Sequence, residues 1–170
     1  PSIGQVYYAS YTYTKQDYST RIFSKLSDVE AAFGPVSPNN PLSLGAYLMF
    51  INGAVQIGIK QVQKDAGSNN ASESSFIAAI DSLEGNLPGN IVPGVLVPLT
   101  PATSTLLNYL AVHCDVQSSI RFKSERTAIL GFAAGTQPEQ AGLLAKATGA
   151  SRIRVVYPDI ATVPITDALG

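Results

Sequence analysis

The chain has 170 residues, 45% of them hydrophobic and only 14% charged, with 11 basic side chains against 12 acidic ones. That length fits one domain with a proper core, and the near-zero net charge leaves no basic excess for a nucleic-acid partner. One cysteine, Cys114, and one histidine, His113, exclude an internal disulfide and a soft-ligand metal cluster.

No apolar run reaches the length of a membrane span and no signal-peptide pattern opens the chain, so membrane insertion is not expected. The first residue is Pro1, which points to a processed chain or a fragment of something longer. A lone cysteine permits a reducing, intracellular setting. The charged fraction lies below the roughly 25% usual for soluble domains. Together with eight tyrosines, it suits a surface that rests against other protein.

In chain order, Gln5 to Tyr13 alternates tyrosine with small or polar residues and reads as an opening strand. Ser27-Asp28-Val29-Glu30 has the form of a capping box for a short helix, which Phe33-Gly34-Pro35 ends. Asn40-Pro41 opens a longer helix with Leu44, Tyr47, Leu48, Phe50 and Ile51 as a wide apolar face, stopped by Asn52-Gly53. Val55 to Val62 alternates as a half-buried or edge strand. Lys64 to Ser75 is the most polar and least patterned stretch, an exposed loop or hinge at residues 64–75. Ser72 caps the next helix, with Phe76, Ile77, Ile80 and Leu83 on one face and Gly85 at its end. Asn86 to Asn90 is a turn.

Ile91 to Leu99 runs apolar without alternation, which predicts a central strand covered on both faces. Thr100-Pro101 then offers an N-cap and first-turn proline to a helix carrying Leu106, Leu107, Leu110 and Ala111 at helical spacing. Gln117 to Arg126 is a polar, basic connection. A strand from Thr127 to Phe132 follows, then a second capping box at Thr136 to Glu139, a helix stopped by Gly149, and a strand from Arg152 to Tyr157. Ile160 to Gly170 reads as a last short extended segment. The β-α-β-α-β run predicts an α/β fold in one domain spanning residues 1–170, with a mostly parallel or mixed sheet and helices packed on both faces.

Catalytic chemistry finds no foothold in this pattern. His113, Cys114 and Asp115 are adjacent, and neighbours on a helix diverge by about 100°, so they cannot converge on one reacting atom. With no second histidine, a Cys-His pair built from distant residues is blocked as well. Gly131 to Thr136 links a strand to a helix N-terminus, but it lacks the lysine and hydroxyl of a P-loop, the dinucleotide spacing, and the serine of a hydrolase elbow. Asp81, Glu84, Glu125, Glu139, Asp159 and Asp167 read as scattered, solvated carboxylates. Arg121, Lys123 and Arg126 form a sparse basic patch that suits an acidic partner protein as well as anything else. No catalytic, cofactor or metal site is expected, and no cofactor.

Ser27 to Gly34, Asn40 to Gly53 and the strand VQIGIKQV, followed by Phe76 to Glu84, the strand ending in VPL, the helix to Cys114, Thr127 to Phe132 and Val155 to Pro158, occur in an order that resembles contractile tail sheath proteins. The likeness spans about residues 20 to 160. It implies a non-enzymatic subunit of a phage virion, assembled in the host cytoplasm. Such a subunit polymerises helically around a tail tube and shortens to drive it through the host envelope during genome delivery. Its implied partners are copies of itself, the tail tube protein, and the baseplate and tail terminator proteins. Two departures accompany the likeness. Only the polar loop stands where many sheath proteins carry an inserted domain, and their terminal arms have no counterpart here. The alternative reading is a small doubly wound nucleotide-binding or enzymatic domain, with its site at the C-terminal ends of Ile91 to Leu99 and Thr127 to Phe132.

Overall fold

Strand β4 (Thr127–Gly131) is the middle of a parallel sheet ordered β3-β4-β5, flanked by β3 (Val95–Leu96) and β5 (Ile153–Val156). This arrangement comes from a computed structural model, which describes residues 17–157 apart from 69, 86 and 88. The expected strand at Gln5 to Tyr13 and the tail from Ile160 lie outside the described residues. Helix α4 (Ser104–Gln117) connects β3 to β4 and α5 (Pro138–Thr148) connects β4 to β5, so the β-α-β-α-β expectation is what the structure shows. The chain is an α/β protein.

Alternation along β4 decides what this sheet buries. Ala128 and Leu130 are buried, in register with Leu96 and Ile153 or Val155 on the flanking strands. They meet Leu106, Leu107, Leu110 and Cys114 of α4, Ala141 of α5 and Ile80 of α3 (Glu73–Asp81) in one core. Each fully buried leucine there contributes about 1.5–3 kcal/mol of transfer free energy. The strands succeed one another in a single direction, and α4 and α5 contact each other on one side of the sheet. On the alternate face Val95, Arg154 and Val156 are exposed among the described residues.

A second core belongs to the N-terminal half. Strands β1 (Thr20–Phe23) and β2 (Ile57–Lys60) pair antiparallel, and α1 (Leu26–Phe33) and α2 (Pro41–Ile51) pack on them around Phe23, Val29, Ala46, Ile57 and Ile59. The Arg21 guanidinium lies over the Phe33 ring, 4.4 Å from its centroid. The halves touch where two glycines admit a leucine. A Cβ on Gly45 would stand 3.5 Å from Leu99, and one on Gly58 would stand 3.2 Å from Leu87.

Several expectations are corrected. Ile91 to Leu99 is not a central strand: within the parallel sheet only Val95 and Leu96 pair, at its edge, Val95 is 52% exposed, and Ile91 makes an isolated bridge back to Leu87. Pro93 and Pro98 have no N–H to give a ladder, so pairing with β4 is confined to residues between them. The helix after it starts three residues late, because the buried Ala102 amide donates to Gly131 O at 2.7 Å and leaves Thr103 extended as the N-cap. The Thr103 hydroxyl accepts from the Leu106 amide at 3.1 Å.

Neither capping box closes. Glu30 accepts from the Val36 amide beyond the helix at 3.0 Å, and Lys25 is the N-cap of α1. The Thr136 hydroxyl donates back to Ala133 O, and Gln137 precedes Pro138 as the N-cap of α5. Helix α2 buries Ser43 and Ala46, where it approaches α1 and Ser43 donates to Gly34 O at 2.7 Å, and leaves Ile51 exposed. The wide apolar face expected to be core is therefore half-exposed.

Candidate functional site

Arg126 precedes β4 in sequence and is 0% exposed, the largest fully buried side chain among the described residues. A buried guanidinium is costly unless its donors are met, and here they are. Nη1 donates to Leu83 O at 2.7 Å, Nη2 to Gly85 O at 2.8 Å and Nε to Ser124 Oγ at 3.1 Å. Leu83 and Gly85 follow the last turn of α3, where free carbonyls carry partial negative charge that favours a cation.

The remaining partner is His113, whose Nε2 lies 2.9 Å from Arg126 Nη1. Arginine has donors only, so Nε2 accepts and the imidazole is neutral with its proton on Nδ1. Burial, and then the Arg126 charge, hold the His113 pKa below its ordinary value, against the opposing pull of Glu84 and Asp81. The Tyr109 hydroxyl donates to Asp81, and its pKa is pushed up to about 12 by burial first and that bond second.

Asp81, Glu84 and His113 bring their ligand atoms within 4.8 Å of one another. As a cation site the trio is poorly built, because the one acceptor nitrogen of a neutral imidazole is already used by Arg126, and the guanidinium would stand against the metal. What the cluster does is join α3, α4 and the entry to β4.

The other sequence candidates fall apart in space. Cys114 enters the core, its thiol pKa raised by burial, while Asp115 faces Arg152 at 3.6 Å, so the adjacent trio diverges as helix geometry requires. Glu125 pairs with Arg152 at 2.6 Å and Glu139 is exposed on the first turn of α5. Asp159 and Asp167 lie outside the described residues. The basic patch is corrected: Arg121 and Lys123 are exposed, whereas Arg126 is buried and turned to other partners. Asp81 and Glu84, read as unrelated carboxylates, meet one another. Their i, i+3 spacing at a helix end was the signal that pairs them.

At the turn from Gly131 to Thr136 the neighbouring helix begins with Pro138, which has no N–H, and Glu139, whose carboxylate repels an anion. The strand order β3-β4-β5 contains no reversal, so these strands form no switch-point crevice. A groove of about 1290 Å³ does run between the two cores, lined by Leu48 and Met49 of α2, Ile59 of β2, Phe76 of α3, and Val95 and Leu99. Its walls are mainly apolar and offer surface for packing. A scan against protein-family models, a search of curated proteins and a search of solved structures each found no match to this chain.

Proposed function

We propose that this chain is a non-enzymatic structural subunit that works by associating with copies of itself, of the kind found in contractile tail sheaths. The observation that carries the reading is the set of large apolar side chains left in solvent on both halves. Ile51 and Val55 are exposed in one, and Val112, Ile120 and Leu143 in the other, with Ile120 90% exposed. Apolar side chains spread over several faces favour repeated protein contacts over a single ligand pocket. The main buried polar pair, Arg126 and His113, is occupied in holding three elements together.

In such a sheath, heterologous contacts between identical subunits do not close and so propagate as a helix. Shortening moves rigid domains between two packings of different free energy while each fold is kept. The order of sequence motifs supports this assignment. The partners would be neighbouring copies, the tail tube protein, and the baseplate and tail terminator proteins, within a virion that delivers a genome through the host envelope.

Sedimentation velocity over a concentration series, with negative-stain microscopy of the same samples, tests the reading. Open-ended association and tubular polymers are expected, weakened by Ile120→Asp. A discrete closed dimer, or a monomer at all concentrations, would count against it.

A further inference from the structure

We infer that the contact between His113 and Arg126 is an acid-sensitive latch. A proton on His113 Nε2 breaks the bond from Arg126, releases the turn at Leu83 and Gly85, and loosens the hold of the parallel-sheet half on the antiparallel half. The inference stands apart from the sheath reading and needs no partner.

The latch follows from where each atom is held. Arg126 grips Leu83 O and Gly85 O while leaning on His113. Two residues beyond Gly85, Leu87 donates its amide to Ile91 O at 2.7 Å and sets its side chain against Gly58 of β2. The guanidinium in the C-terminal half thus holds Gly85, two residues before the leucine that seats on the N-terminal half beside the groove.

Nε2 can accept a hydrogen bond or carry a proton, never both. Once protonated it presents N–H to a guanidinium that is itself all donors, two like charges in a buried space. The groups facing the imidazole are few. Arg126 opposes protonation from the entry to β4, Asp81 and Glu84 favour it from α3 and the turn after it, and Tyr109, on the same helix as His113 with its pKa pushed up to about 12, is uncharged at neutral and acid pH. Burial and Arg126 outweigh the two exposed carboxylates, so the closed latch disfavours the proton. In the loosened state the imidazole returns toward its ordinary value of 6.5. The loosened state therefore takes up the proton first. The latch is at full strength above that value and weakens as pH falls below it.

His113 is the only imidazole in the chain, so its Cε1 proton reports the titration without ambiguity. Amide-exchange protection factors on the full chain, corrected for intrinsic rates, are compared from about pH 7.5 to about pH 5. Leu87 is expected to lose protection several-fold while Leu110, deep in the core, keeps it. His113→Gln offers Arg126 a carboxamide oxygen with no proton to gain, and should remove the pH dependence at Leu87. A flat profile in the wild type, an unchanged profile in His113→Gln, or equal losses at Leu87 and Leu110 would overturn the latch. If His113→Gln fails to fold, the wild type still decides: the His113 Cε1 midpoint and the Leu87 midpoint must coincide, and a mismatch overturns it.

Discussion

Arg126 donates to the imidazole nitrogen of His113 across 2.9 Å, and neither residue has an ion-pair partner within salt-bridge distance among the described residues. The charge of this fully buried arginine is met by carbonyl dipoles at the end of α3, a hydroxyl and a neutral ring. Removing one member of such a set exposes the desolvation cost of all the others.

Arg126→Leu should therefore be severe. It strands the carbonyls of Leu83 and Gly85, the Ser124 hydroxyl and His113 Nε2, each costing about 1–3 kcal/mol where water cannot enter. A total loss on the order of 3 kcal/mol or more is expected, read as a fall in the urea midpoint. Arg126→Lys should recover only part of it, because one ammonium cannot span both carbonyls.

Thr103→Ala should cost about 1–2 kcal/mol, since the hydroxyl caps Leu106 and also donates to Glu73 of α3. Thr100→Ala, at the cap position that sequence alone suggests, should cost under about 0.5 kcal/mol. Thermal unfolding of the two variants side by side checks the placement. Equal losses would put the helix start back at Thr100.

Gly58→Val places methyl groups where Leu87 and Ile22 now lie, with a Cβ 3.2 Å from Leu87. The cost should be about 1 kcal/mol, the low end for overpacking, because Gly58 itself borders solvent. The largest amide shifts should fall at Leu87 and Ile22. Shifts confined to β2 would mean that the two halves do not meet at this glycine.

Cys114 is fully buried with its thiol pKa raised. Only the thiolate attacks disulfide reagents, so the folded protein should react far more slowly than the denatured chain. The rate should follow the population of opened molecules as denaturant is added. Fast labelling of the native protein would place the thiol at the surface.

Much of the fold is legible residue by residue wherever the deciding physics is local. Gly34, Gly53 and Gly149 have positive φ and end their helices because only glycine takes that conformation without a Cβ penalty. Asn40-Pro41 starts α2, and the spacing of Leu106, Leu107 and Leu110 marks the buried side of α4. The site was less legible. The helix geometry of His113, Cys114 and Asp115 already separates them, but nothing local distinguishes the buried Arg126 from the exposed Arg121 and Lys123.

Only the tertiary structure settled the matters that depend on partners distant in the chain. Gly131, 29 residues after Ala102, draws in its amide and so moves the start of α4 to Thr103. The carbonyls of Leu83 and Gly85, more than 40 residues before Arg126, turn a surface cation into a buried tie. Ile91 to Leu99 has the hydrophobicity of a central strand but takes an edge, because two prolines limit its pairing and β5 occupies the other side of β4. Hydrophobic pattern says how much a segment wants burial. Which hydrogen-bond donors remain to be met, and by what, is decided only when the chain closes on itself.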